Sequence, residues 1–194
     1  TGGKTAWTWD AVGNLKAQAG PEGARTWEYD ASGRPVASTD ALGHRTAWEW
    51  DGAGRLTAEE SPTGARTSLA WDAASNLAAA TDALGKTSRA EYDAMGRTTR
   101  VVDRNGNETR YAYDVLGNLA SVTDGEGATT AYGRDAEGRL TSATDALGRT
   151  TCYSRDAEGR LTSVESPDGT VEELQLDPAG RVTAMIDGAG NVTR

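Results

Sequence analysis

Cysteine, histidine and aliphatic residues are all scarce in this sequence of 194 residues. Cys152 is the only cysteine, so no internal disulfide can form and the residue reads as a spectator thiol. His44 is the only histidine. No Cys/His set for zinc is available, and a Ser-His-Asp triad would have to use this one residue. Leu, Ile, Val and Phe together number 24. That is too few for a large aliphatic core, and it lies near the composition of disordered chains. There is no apolar run of about 18 residues to span a membrane as a helix, and no segment patterned as a signal peptide. Basic residues are in deficit, 20 against 29 acidic, for a net charge of −9. Such a balance favours solubility and argues against a nucleic-acid partner.

What the sequence does have is a period. All six tryptophans and all six tyrosines lie one or three residues before an aspartate that opens a D-x-x-G turn. These aspartates are Asp10, Asp30, Asp51, Asp72, Asp93, Asp114, Asp135, Asp156 and Asp177, spaced by 20 residues once and then by 21 seven times. Their turns close on Gly13, Gly33, Gly54, Gly96, Gly117, Gly138, Gly159 and Gly180, with Ser75 the one exception. A second turn begins ten residues after each of these aspartates and always ends in glycine, from Gly23 to Gly190. A fixed period of this length marks an array in which one supersecondary unit stacks on the next. Disorder has no use for twelve aromatics in register, so periodicity overrules composition.

Turn chemistry identifies the unit. Asp or Ser at the first position accepts a local N–H, and glycine at the fourth tolerates positive φ, as in a type I turn closing a hairpin with a bulge at the glycine. Pro21, Pro62, Pro167 and Pro178 take the second turn position, where their fixed φ fits; Pro35 does not follow this rule. The segments between turns are about six residues long, the length of a strand. Each unit is therefore two strands and two tight turns, and residues 1–194 read as about nine such units in an all-β array. In residues 45–50, Thr46, Trp48 and Trp50 share one face and Arg45, Ala47 and Glu49 the other. The strand after the first turn has no such clear alternation. About 18 strands at 4.8 Å would make a long antiparallel ribbon, and an open sheet of that size is expected to coil. Neither end carries a cap, so the chain reads as a fragment of a longer repeat region with unprotected edge strands.

The segments WEYDASGRPVASTDALGHRT (27–46), AEYDAMGRTTRVVDRNGNET (90–109), YAYDVLGNLASVTDGEG (111–127) and RDAEGRLTSATDALGRTT (134–151) resemble the YD repeats of the Rhs family. That family includes bacterial Rhs toxins, the B and C components of Tc toxins, wall-associated proteins and animal teneurins. The resemblance implies a β-sheet ribbon that spirals into a hollow shell, enclosing a C-terminal toxin domain in bacterial members. It further implies a product that is secreted, held at the cell surface or delivered by a secretion system, whose partners are the rest of the same polypeptide and its enclosed toxin. Three units depart from the pattern: Arg134, Arg155 and Leu176 stand where Tyr usually precedes Asp. Stacking of the two guanidiniums on Tyr132 and Tyr153 is the simplest expectation for them. Asp177-Pro178-Ala179-Gly180 matches the D-P-x-G string at which the Rhs core cuts itself, but it occupies an ordinary turn slot and no core sequence follows.

No catalytic, metal or cofactor site emerges. His44 holds a turn-flanking slot that is filled elsewhere by Ala24, Ala65, Lys86, Asn107 and Arg149. Glu59–Glu60 and Glu172–Glu173 are adjacent, so they point to opposite faces. Asp103, Asn105 and Asn107 copy the start of a calcium loop, yet its glycine spacing and closing Glu are missing. The expected function is a non-catalytic wall segment. One alternative treats Trp7, Trp9, Trp27, Trp48, Trp50 and Trp71 as a solvent-facing platform for glycans or adhesion. Another is self-assembly through exposed sheet edges.

Overall fold

Short stretches rich in Thr, Tyr and Trp, fenced by Asp and Gly, fold into strands joined by tight turns. The computed structural model describes residues 4–194. All regular structure there is β, and the chain divides into two units: residues 1–96 with 102–106, and residues 97–101 with 107–194.

In the first unit the strands are β1 (Ala6–Trp9), β2 (Leu15–Gly20), β3 (Gly23–Tyr29), β4 (Pro35–Thr39), β5 (Arg45–Trp50), β6 (Leu56–Glu60), β7 (Arg66–Trp71), β8 (Leu77–Thr81) and β9 (Thr87–Tyr92). Each pairs antiparallel with the next in sequence. The division between units falls within β10 (Thr98–Val102). The second unit continues with β11 (Glu108–Tyr113), β12 (Leu119–Asp124), β13 (Thr129–Arg134), β14 (Leu140–Thr144), β15 (Thr150–Arg155), β16 (Leu161–Glu165), β17 (Val171–Leu176), β18 (Val182–Ile186) and β19 (Val192–Thr193). These strands too pair antiparallel in sequence order.

The turns have the expected geometry. Gly13 N–H donates to the Asp10 carbonyl at 3.3 Å while Asp10 N–H donates to the Asn14 carbonyl at 2.9 Å, leaving the glycine as the bulge residue. The same pair of bonds recurs through both units. The turn-closing glycines have φ between 76° and 105°, and Ser75 is the sole non-glycine with positive φ among the described residues, at 70°. Pro35, which fits no turn, is the first residue of β4, a place where a strand tolerates a missing N–H.

A second irregularity lies outside the turns. In each first-turn hairpin whose register is resolved, the pairing slips by one residue just inside the return strand: Thr8 faces Ala17 but Trp9 faces Leu15, so Lys16 is extra. The slip recurs at Glu28/Tyr29, Glu49/Trp50, Ala70/Trp71, Ala112/Tyr113, Gly133/Arg134, Ser154/Arg155 and Gln175/Leu176. Second-turn hairpins carry no slip. The bulge explains why the return strands have no clear alternation. Their residues facing the aromatics are three apart, such as Leu56 and Glu59, which face Trp50 and Trp48.

No large side chain among the described residues is fully buried, and the most enclosed apolar residues are Ala37, Ala58 and Ala184. Packing is therefore lateral, strand against strand within a layer, as repeat arrays require. No helix of the described residues is long and apolar enough to cross a membrane, which says nothing of spanning by strands.

Candidate functional site

The feature that unifies the repeats is the aromatic face and the hydrogen bonds beneath it. Beside each bulge the return strand's pairing with the following strand stops short of the first residue after the turn, and the aromatic residue of the next repeat donates to that residue's carbonyl. Tyr29 Oη donates to the Leu15 carbonyl at 2.9 Å, Tyr92 to Leu77 at 3.0 Å and Tyr113 to Thr98 at 2.8 Å. Trp50 Nε1 does the same to Pro35 at 2.7 Å, and Trp71 to Leu56 at 2.7 Å. In each case the acceptor is the first residue after the five-residue first turn, D-x-x-G-x or, before Leu77, D-x-x-S-x. The slot thus wants a flat apolar body with a donor at its tip, which Tyr and Trp have and Phe lacks. The chain contains no Phe.

The turn aspartates are connectors. Asp51 Oδ1 accepts the N–H groups of Ala53 and Arg55, both at 2.9 Å, and its Oδ2 accepts Arg55 Nε at 2.7 Å. Arg55 Nη1 then reaches into the following repeat, to the Asp72 carbonyl at 3.1 Å and Ser75 Oγ at 3.0 Å, with the guanidinium 5.9 Å from the Trp71 ring. Arg34 repeats this with the Asp51 carbonyl and the Trp50 ring. Where Asn follows the turn instead, Asn14, Asn76, Asn118 and Asn191 donate to the same carboxylate oxygen. These contacts hold the carboxyls below the usual range. For Asp10, Asp30, Asp51 and Asp177 the main cause is the backbone N–H four residues on. For Asp72, Asp114 and Asp135 it is the side-chain hydrogen bond from that residue. On the reverse face, Glu108 is held at about 2 by hydrogen bonds from Arg100 and then Arg110.

The six tryptophans share the aromatic face of the first unit but not one environment. Trp7 and Trp9 are 55% and 60% exposed. Trp27, Trp48, Trp50 and Trp71 are half-buried, and the last two have their indole N–H groups engaged by backbone. Arg134 and Arg155 do not stack on Tyr132 and Tyr153 as expected. Their guanidiniums turn to the carbonyls of Gly138 and Gly159 in their own turns, because Arg is long enough to fold back where Tyr is not. Leu176 has no donor to offer.

The remaining candidates are turn and strand residues. His44 Nδ1 lies 3.0 Å from Asp40 Oδ2 in an exposed second turn. Asp103 and Asn105 also form a second turn, with Gly106 N–H on the Asp103 carbonyl at 3.1 Å. Among the described residues no cluster of His, Cys, Asp or Glu is placed to hold a metal. Glu59 faces Trp48 and Glu60 faces Ala47, so the two carboxylates point apart. Cys152 is exposed on the reverse face. Sequence reading missed the bulge carbonyls and their aromatic donors. The absence of Phe was the available signal.

A family model described as RHS Repeat matches residues 9–46, 29–67, 50–87, 92–129, 113–150 and 155–192. No individual curated protein matches the sequence. Among solved structures, the fold is similar to a chain of the TcdB2-TccC3-Cdc42 crystal structure, with a TM-score of 0.53 at 18% identity. It is equally similar to TcdB2-TccC3 without its hypervariable C-terminal region, at the same score and identity. Both alignments cover 94% of this chain and 12% of the other, so the chain spans about an eighth of the length of those structures.

Proposed function

Because the chain belongs to the RHS repeat family, we propose that it is a stretch of shell wall, a non-catalytic sheet segment that curls with its neighbours around a toxin or effector domain of the same polypeptide. The observation that carries this reading is the recurring aromatic-to-bulge bond: from Tyr29 to Tyr113 it uses Tyr and Trp, with turn arginines such as Arg55, to join one repeat to the next within each unit. A layer stabilised laterally needs no packed core and leaves one broad face free to meet a passenger. About nine repeats in 194 residues would form one part of a longer wall, in a product that is secreted, surface-held or delivered by a secretion system.

Limited proteolysis of the parent polypeptide tests the proposal. The passenger should resist protease in the intact protein and become susceptible when Tyr113→Ala and Trp71→Ala loosen the ladder. Equal digestion of the passenger in both proteins would argue against enclosure. A second reading, glycan binding, is favoured only by the exposure of Trp7 and Trp9. Quenching of tryptophan fluorescence by oligosaccharides, lost in Trp7→Ala/Trp9→Ala, would support it, and a flat titration would remove it.

A further inference from the structure

Two consecutive repeats of the second unit place arginine in the slot that Tyr or Trp fills elsewhere: Arg134 on β13 and Arg155 on β15. Arg134 Nη1 donates to the Gly138 carbonyl at 3.0 Å. Arg155 Nη1 donates to Gly159 at 3.3 Å and its Nη2 to Leu140 at 3.4 Å. The Nε atoms of both are buried and have no hydrogen-bond partner. Neither guanidinium has a carboxylate within ion-pair distance. By contrast, Arg139 and Arg160, in the turns that follow, are held by Asp135 at 2.7 Å and Asp156 at 2.6 Å.

The neighbours on the same face are also donors without acceptors. Tyr132 and Tyr153 lie two residues before the arginines, and their hydroxyls make none of the bonds that Tyr113 makes. Glu172, on β17 across from Val164, shares that face and forms no ion pair; Glu165 and Glu173 belong to the reverse face. Tyr in this slot would make the bulge-carbonyl bond that Arg155 makes only at 3.4 Å to Leu140, and would bury no unpaired N–H, so arginine is the less stable choice here.

We propose that Arg134 and Arg155, with the Tyr132 and Tyr153 hydroxyls, bind a carboxylate-bearing stretch of polypeptide. The arginines are two strands apart, about 10 Å, and a chain in the polyproline II conformation, with three residues per turn and a rise of about 3.1 Å, brings carboxylates three residues apart to one side at close to that separation. Guanidinium and phenol donors suit carboxylate oxygens, and the half-buried Leu140, Leu161 and Val164 face Arg134, Arg155 and Tyr153 across the strands. Nucleic acid fits poorly, because two cations neutralise too few phosphates for useful affinity. The site belongs to the chain itself and does not depend on the shell reading.

Fluorescence anisotropy on this chain tests the assignment, with a short fluorescein-labelled peptide carrying glutamate at every third position and Gly or Ser between. The glutamate peptide should bind, and its glutamine counterpart should bind at least about tenfold more weakly. Arg134→Tyr/Arg155→Tyr should lose the binding by a similar factor while melting at or above the parent temperature. Arg134→Gln/Arg155→Gln, which removes charge without installing a new ring, should show the same loss of binding. No binding by the parent chain, equal binding of the glutamine peptide, undiminished binding by either double variant, or tighter binding of a single-stranded oligonucleotide would overturn the proposal.

Discussion

At the residue scale, the aromatic slot before each turn aspartate is defined by a donor as much as by a ring. Tyr113→Phe keeps the ring and removes the bond to the Thr98 carbonyl. It should cost about 1 kcal/mol, the usual worth of a partly buried hydrogen bond, read as a lower midpoint in urea with unchanged slope. Ser75 is the converse case, a side chain held at φ 70° where glycine stands in the other turns. Relief of left-handed strain outweighs the entropy of an added glycine and the loss of the contact with Arg55. Ser75→Gly should therefore stabilise by about 0.5 kcal/mol or more, and an unchanged or lower melting temperature would count against that balance. The sequence marked Ser75 as an exception from pattern alone. It could not reveal the bulge carbonyls, because an unpaired main-chain acceptor leaves no mark on residue identity except through what is missing, here phenylalanine.

At the scale of the element, the turn and the strand behind it act as one device. Arg55 joins its own turn aspartate to the next repeat's carbonyl and ring, so Arg55→Ala should cost about 1–2 kcal/mol. Arg55→Lys should recover little of this, since an ammonium cannot bond to both repeats in a fixed fork. Thermal melts of the two variants compare them directly. Gly117 combines a φ of 90° with Arg97 Nη1 only 3.1 Å from where a Cβ would sit. Gly117→Val should cost more than about 2 kcal/mol, and an unaltered melt would contradict the turn. Strand number, turn positions and the aromatic face were all legible from the Asp–Gly period. The facing of the return strands was not, because the bulge after each first turn shifts the alternation by one residue and composition there is mostly Ala, Ser and Thr.

At the scale of the whole molecule, stability should have a sharp acid limit. The turn carboxyls of Asp10, Asp30, Asp51, Asp72, Asp114, Asp135 and Asp177 all lie below their ordinary value of 3.8, and Glu108 lies at about 2 against 4.5. A carboxyl depressed by folding contributes its full stabilisation above the unfolded value and loses it as pH falls through the folded one. Melting temperature should hence be level above about pH 5 and fall steeply below about pH 4, with many equivalent turns losing their connectors in the same window. A decline beginning near neutral pH would mean that other groups control stability.

The central claim is that these repeats form one part of a wall around a passenger. A cryo-EM reconstruction of the segment within its native polypeptide, at a resolution that shows the tryptophans, tests it most directly. The account predicts a curved sheet with density enclosed behind it, whereas an open sheet that encloses nothing and presents Trp48, Trp50 and Trp71 to solvent would contradict it.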